Sequence, residues 1–524
     1  MTAGIIQLVA KGVQDLFLTH DPQITFFKII YRRHTNFSTE PIPQYFNFKP
    51  NFSKKSTCII SKSGDSILNM VLVITLPMIQ TINSEYKFAW VRKIGFAIIK
   101  NITFEIGGHI IDKQYGEWLN IFYELFGPRE YGFLNMIGDV PELINLSSCK
   151  NEFTLYIPLN FWFSKTYGLA LPILCLQYTD VRVILELNDF EKCHIISPTN
   201  YIQIYNDLVN FQPYETIEQN INGRVARGIF TNYDIMNKRL YYIKTTDCDF
   251  LSIDTCDEFI DDFNGFDNYM DQQNFYYNCK QKYFIKGCDT GYIVMPELCA
   301  QQVLLTNPLV SCVDIVNAYI LVDYVFLDEE ERYRFLNSKI DYLIEQVLYS
   351  GEKIIDGPNR QINLDFVNPC KFLVWVCQLD VFSNVHDCFN YTDKFCCRRY
   401  FDYLGARVIN SGKSLVDSET IILNGQCRLS KREYQYFNYV QPYQYCTYSP
   451  SEGINLFSFS LFPNKFQPSG SCNMSQIANI KIDLSINKFI SPCVPIKFRC
   501  YALTYNILRI TNGLAGLVFV DKNY

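Results

Sequence analysis

An all-β chain of two domains is the fold class this sequence predicts, and three observations lead there. Its 524 residues exceed the roughly 250 to 300 at which a single core stops growing. Its 41 Phe and 37 Tyr are residue types that suit pleated, half-buried surfaces. Short apolar runs separated by Gly, Pro and Asn turns recur along the whole length, the pattern of sandwiches or jelly rolls.

The opening segment, 1–22, sets Ile5, Leu8, Val9, Val13, Leu16 and Phe17 at steps of three and four. A short amphipathic helix is expected there, weakened by Gly12. Its apolar side needs a cover, either its own subunit, a neighbouring subunit or a membrane surface. Strand-like runs follow at 24–31, 67–76, 102–106 and 181–187, punctuated by Gly107-Gly108 and Asn188-Asp189. Between Gln114 and Phe126 the period changes. Trp118, Ile121, Phe122, Leu125 and Phe126 share one face and Gly127-Pro128 ends the run, which predicts a helix across a sheet end.

From 190 to 315 the text shifts again, with seven cysteines in that span and nine acidic residues between Asp247 and Asp271. A structureless loop of such length inside a compact domain is disfavoured, so this insertion is expected to carry a small fold of its own. Strand text resumes at 318–327, and Asp328-Glu329-Glu330-Glu331-Arg332 reads as a surface turn. The domain plan is therefore an arm at 1–22, a first domain at 23–328 including the insertion, a linker at 329–342 and a second domain at 343–524. That second domain repeats the strand pattern at 343–349, 371–378, 454–461, 477–485 and 497–510. Phe457, Phe459 and Leu461 alternate there with Leu456, Ser458 and Ser460, the period-2 mark of a strand with two different faces.

Composition excludes several functions. A net charge of −6 with 19% charged residues offers no basic excess for neutralising phosphates, so no direct nucleic-acid contact is expected. No secretory leader is readable in residues 1–17, so the 20 cysteines are expected to stay reduced in a cytosolic setting, as small buried apolar groups. No C-x-x-C pair occurs, and His20, His34, His109, His194 and His386 are scattered, which argues against a metal centre of zinc or cupin type. No nucleophile elbow, Walker A or dinucleotide fingerprint is present. The acidic run 247–271 lacks calcium-loop spacing and reads as a solvated loop. The longest apolar stretch, 67–77, is broken by Asn69, Thr75 and Pro77, so no membrane span is expected. No catalytic site, cofactor or metal is predicted.

Two clusters remain. Arg32-Arg33-His34 could form a patch toward lipid or internal proteins, since guanidinium groups bind phosphate in bidentate fashion; the plainer reading pairs the arginines with carboxylates at a domain edge. The aromatic stretch 434–448, with Tyr436, Phe437, Tyr439 and Tyr443, suits core and subunit-interface packing, with a sugar-stacking platform as the alternative.

Longer blocks carry more. Gln7-Leu8-Val9-Ala10, the run from Asp21 to Lys28 and Tyr31-Arg32-Arg33-His34-Thr35-Asn36-Phe37 open the series. Glu105-Ile106-Gly107-Gly108, Gly168-Leu169-Ala170-Leu171-Pro172 and the run from Val322 to Asp328 follow. The series closes with the runs from Tyr436 to Gln444, from Gln467 to Asn473 and from Tyr505 to Ile510, and then Gly513-Leu514-Ala515-Gly516-Leu517. In this order and over nearly the whole chain, they resemble the major capsid proteins of nucleocytoplasmic large DNA viruses. The resemblance implies two tandem eight-stranded jelly rolls, and a homotrimeric capsomer of near-hexagonal outline tiling an icosahedral shell. It also implies contacts with neighbouring capsomers and minor capsid proteins, and an N-terminal segment facing an internal membrane or a membrane-associated protein. Assembly would take place in the host cytoplasm. The 190–315 insertion is longer than the family plan and falls between the strands that resemble the last two of the first jelly roll, which points to an outward tower. Asn424-Gly425-Gln426 is followed by Cys427, where family members commonly carry an acidic residue. Those departures leave open a minor capsid paralogue at a vertex or in an accessory position, or a surface-exposed glycan- or receptor-binding jelly-roll protein.

Overall fold

Pro41 and Pro43 stand two apart in a strand, so both missing N–H donors fall on one side of it, and such a strand belongs at a sheet edge. The computed structural model places it there. It describes residues 33–519 apart from 84–85, 213–214, 222, 247, 253–282, 304–308, 311–312, 356, 381, 383–386, 394–411 and 488–494, together with 5–6, 9–10 and 20–21. The expected strand at 24–31, most of the N-terminal helix and most of the acidic run 247–271 lie outside the described residues.

The first sandwich uses β1 (Phe37–Tyr45), β2 (Lys55–Ile60), β3 (Ser66–Leu76), β4 (Ile99–Ile106), β5 (His109–Tyr115), β6 (Phe153–Pro158) and β7 (Val181–Leu187). Helix α1 (Gly116–Phe126) follows β5 directly. The insertion then supplies β8 (Asn200–Gln203), β9 (Thr216–Ile221), β10 (Arg224–Asp234), β11 (Arg239–Lys244), β12 (Ile285–Gly287), β13 (Ile293–Val294) and β14 (Gln301–Gln302). β15 (Asn317–Leu327) returns to complete the first sandwich, whose sheets run β1-β15-β3-β6 and β2-β7-β4-β5.

After helix α2 (Glu329–Asn337) the second sandwich is built from β16 (Ile340–Ile355), β17 (Asn359–Leu364), β18 (Pro369–Leu379), β19 (Val416–Leu423), β20 (Gln426–Cys427), β21 (Ile454–Ser458), β22 (Cys472–Asn473), β23 (Ile480–Ile486), β24 (Ile496–Thr511) and β25 (Leu514–Leu517). Its sheets run β16-β24-β18-β21 and β17-β23-β19-β20, with β22 added to β18, β25 to β24 and the two-residue strand Arg432–Glu433 to β19. Leaving those three additions aside, both sandwiches pair the first strand with the last, the last with the third and the third with the sixth. In both, the second strand pairs with the seventh, the seventh with the fourth and the fourth with the fifth. This shared connectivity is the double jelly roll. Even the hairpins correspond. β4 turns into β5 through Gly107-Gly108 (φ 60° and 83°), and β19 into β20 through Asn424-Gly425 (φ 49° and 81°). Two left-handed residues give the tight turn whose twist matches the strands.

Several expectations shift. The charged stretch after Leu327 is not a turn but the start of α2, where the Asp328 carboxylate accepts the Glu329 N–H at 2.8 Å. Acidic side chains in a first helical turn also favour the helix dipole. β16 begins at Ile340 rather than 343. The 454–461 strand ends at Ser458 and is buried along its whole length. Leu456 packs into the core shared with the first sandwich while Phe457 packs into the second sandwich's own core. β18 behaves alike, with Phe372, Val374 and Val376 on one side and Leu373, Trp375 and Cys377 on the other. The alternation therefore separates two cores, not core from water.

The insertion forms one antiparallel sheet, β13-β12-β9-β10-β11-β8-β14. It has its own core around Ile202, Ile217, Phe230, Leu240, Tyr242 and Ile285. Its ends meet at its base, where the Val303 N–H donates to the Thr199 carbonyl at 2.9 Å.

Candidate functional site: the junction between sandwiches and the exposed faces

Helix α1 is the wedge that fixes the two sandwiches. Gly116 opens it because a Cβ there would run into the carbonyl oxygens of Phe96 and Ile99. Trp118, 1% exposed, stacks on Phe372 at 6.2 Å between ring centroids and lies 5.8 Å from Tyr501; Phe126 reaches Phe372 at 5.8 Å. Tyr115 and Tyr349 meet from opposite sandwiches at 4.8 Å.

Polar bonds frame this aromatic contact. The Glu117 carboxylate receives the Arg499 guanidinium (Nε to Oε2 2.8 Å) and the hydroxyls of Tyr501 (2.6 Å) and Tyr391 (3.1 Å). Arg499 also donates to Gln378 at 2.6 Å and to Glu352 at 3.1 Å. Burial works against the charge on Arg499, but Glu117 overcomes it and the guanidinium is held still more firmly protonated. Glu124 accepts from Lys93 at 2.5 Å and from the Ser451 N–H and hydroxyl at 2.8 and 2.7 Å. Burial would raise its carboxyl, yet Lys93 and Ser451 win and bring it down to about 2. Glu345 takes the ammonium groups of Lys165, from the first sandwich, and Lys371, from its own, which hold it ionised against burial. Asp112 accepts the Val347 N–H at 3.1 Å and the Gln114 amide at 2.9 Å, but burial dominates and lifts it to about 6. With buried charges each satisfied by several donors, this seam sets one relative placement of the two sandwiches.

Of the residues singled out in the sequence, Arg32 lies outside the described residues. Arg33 and His34 are exposed just before β1, and His34 Nδ1 lies 2.7 Å from the Thr35 carbonyl oxygen. The aromatic stretch forms a wide π-type turn, Tyr436–Val440, running into a helical turn, Gln441–Tyr445. Phe437 takes the core half of the core-and-interface reading. It is fully buried, 5.4 Å from Trp375 and 6.5 Å from Phe457, inside the subunit's own core. Tyr436 is half-buried, Tyr439 is 40% exposed with its hydroxyl on Glu452, and Tyr443 is 82% exposed. Leu461 and Phe462 are also exposed, on the segment after β21. The sequence reading missed Glu117, Glu124, Glu345 and Arg499, although all four charges stand inside apolar text. Among the described residues no helix is long and apolar enough to cross a membrane.

The comparisons with known proteins agree with this architecture. Residues 25–225 match the family model for the major capsid protein N-terminus, and residues 331–516 match that for the large eukaryotic DNA virus major capsid protein. The chain is similar to Probable capsid protein 4 of Acanthamoeba polyphaga mimivirus, 38% identical with 99% of each chain covered. It is also similar to the major capsid protein of Phaeocystis pouchetii virus, 29% identical over 99% of this chain and 100% of the other. Among solved structures it resembles the Faustovirus major capsid protein, with a TM-score of 0.64, 12% identity and 96% and 94% of the two chains covered, a likeness of fold. The chain belongs to the major capsid protein family of large eukaryotic DNA viruses, and as a double jelly-roll capsid protein its place is the shell of the virion.

Proposed function

We propose that three copies of this chain close into a capsomer of near-hexagonal outline, the repeating tile of an icosahedral shell. One observation carries the reading: two sandwiches of the same connectivity are locked side by side by the α1 seam. Each chain then contributes two similar wedges, and three chains supply six. Such a ring closes, so its head-to-tail contacts do not run on into open polymers. Obligate interfaces of this kind bury upward of about 2,000 Å² with a large apolar share. Tyr436, Tyr439 and Tyr443, with Leu461 and Phe462, are apolar groups available for contacts between copies.

The insertion leaves the first sandwich between β7 and β15 and is read as an outward tower. The arm at 1–22 and the Arg32-Arg33-His34 patch are read as facing an internal membrane or membrane-associated protein, with neighbouring capsomers and minor capsid proteins as lateral partners. The role is mechanical rather than catalytic. Negative-stain electron microscopy of the purified protein tests the outline: near-hexagonal particles with three-fold symmetry are expected, and isolated two-lobed particles would argue against it.

A second reading is that the chain is a less abundant paralogue. It is favoured by the higher identity to a relative called Probable capsid protein 4 than to one called Major capsid protein. Quantitative mass spectrometry of virions separates the two, since a shell tile is the dominant protein by copy number and a vertex component is not.

A further inference from the structure

Cys370 and Cys472 are register partners on adjacent antiparallel strands, β18 and β22. Residues directly opposite in such a pair point to the same face, with Cα atoms about 4.5 to 5.5 Å apart, inside the span of about 4.4 to 6.8 Å that a disulfide bridges. Both side chains belong to the core of the second sandwich, Cys370 fully buried and Cys472 packed at its margin. The short β22 is held in place independently of the thiols. The Met474 N–H donates to the Asn368 carbonyl at 3.1 Å, the Asn368 N–H to the Ser475 hydroxyl at 2.8 Å, and the Ser475 N–H to the Asn473 side chain at 3.1 Å.

We propose that Cys370 and Cys472 form a latent disulfide, reduced during synthesis and closed when the protein meets an oxidant such as a low-molecular-weight disulfide of the glutathione type. Closure would tie the segment between β21 and β23, which carries exposed Leu461 and Phe462, to the central strand of the sheet facing the first sandwich. The bridge closes a loop of about 100 residues, a length at which restricting the unfolded chain stabilises appreciably.

The two thiols have unequal roles. Cys472 is partly exposed; burial raises its thiol while the nearby Arg428 guanidinium acts in the opposite direction. Cys370 is shut away and its thiol is raised further by burial, with Cys500 and Cys472 adding to that. Cys472 therefore attacks first. Its thiolate takes one sulfur of glutathione disulfide, the S–S bond breaks and one glutathione thiolate leaves. Cys370 then gives up its proton and its sulfur attacks the Cys472 sulfur of the mixed disulfide, expelling the second glutathione. Two protein thiols are oxidised by two electrons, glutathione disulfide is reduced to two thiols, and the two cysteine protons end on them. Cys500 is the competing neighbour, but it stands opposite Trp375 on β24, whereas Cys370 faces Thr504 on that strand.

The full-length protein, purified reduced and incubated without oxygen with glutathione disulfide, is alkylated, digested without reductant and mapped by mass spectrometry. The expected product is a linked Cys370–Cys472 peptide pair, while exposed Cys149 and Cys427 carry glutathione or remain free. The thermal midpoint should rise on oxidation of the wild type and stay unchanged on oxidation of Cys472→Ser, whose partly exposed position tolerates a hydroxyl. Cys370 recovered alkylated after Cys149 and Cys427 have reacted, or Cys370 linked to Cys500 instead, overturns the proposal.

Discussion

The guanidinium of Arg499, on β24 of the second sandwich, lies 2.8 Å from the carboxylate of Glu117, the second residue of the helix that leaves the first sandwich. The two are 382 residues apart in sequence. Only 11% of the arginine and 14% of the glutamate side chain remains exposed, so removing Glu117 leaves a buried guanidinium whose remaining carboxylate, Glu352, is 41% exposed. Glu117→Ala should cost about 3 kcal/mol in denaturant unfolding, the low end for a broken buried pair, and it also strips the Tyr391 and Tyr501 hydroxyls of their acceptor. A cost below about 1 kcal/mol would mean the seam does not hold the sandwiches together.

Trp118 tests the apolar half of the same seam. Trp118→Ala should destabilise by about 3–5 kcal/mol, and Trp118→Phe by about 1–2 kcal/mol, because a ring remains against Phe372. Among the described residues the buried indole N–H has no hydrogen-bond partner, so replacing the indole by a phenyl ring breaks no hydrogen bond there. Equal costs for the two variants would contradict a packing role.

Two buried carboxyls titrate in opposite senses. Glu419 accepts the Trp375 indole N–H at 2.8 Å, but burial raises it to about 8. The folded protein therefore keeps a proton that the unfolded chain has released, and stability falls as pH rises from the ordinary carboxyl range toward 8. Glu419→Gln should gain on the wild type across that window by at most about 1.4 kcal/mol per pH unit. Glu124, lowered to about 2, is the reverse case. Its contribution is complete above the ordinary carboxyl range and fades as pH falls toward 2, so Glu124→Gln should flatten the acid limb. Urea titrations from pH 3 to 9 read both, and profiles parallel to the wild type would refute the assignments.

Because Thr199 and Val303 meet at the base of the insertion, residues 200–302 should be replaceable by a short turn. The shortened protein is expected to keep its β-type circular dichroism and cooperative unfolding at a lower midpoint, since most of the insertion's buried residues form a core of their own and only Ile229 and Ile243 reach the core of the first sandwich. Loss of cooperative unfolding would show that the sandwiches depend on it.

The sequence made much of this frame legible, and where it did not the reasons are physical. Val181–Leu187 stands where its strand-like run, closed by Asn188-Asp189, placed it, with one face in the core and the other half-buried. Phe457 and Leu456 looked like the two faces of an ordinary strand, and only the neighbouring sandwich reveals that both are interior. The run after Leu327 looked like a turn because its charges are dense, although Asp328 followed by three glutamates is equally a helix start. Tyr436, Tyr439 and Tyr443 could not be told from Phe437 by composition, since aromatic residues serve cores and interfaces alike. The Glu117–Arg499 pair had no signal beyond charges in apolar text, because its partners meet only after both sandwiches have folded.

The mass of the purified protein in solution bears most directly on the proposed role as a shell tile. Multi-angle light scattering at micromolar concentration should give a value near three times 61.2 kDa. A stable species at 61.2 kDa that persists as concentration rises would contradict the account.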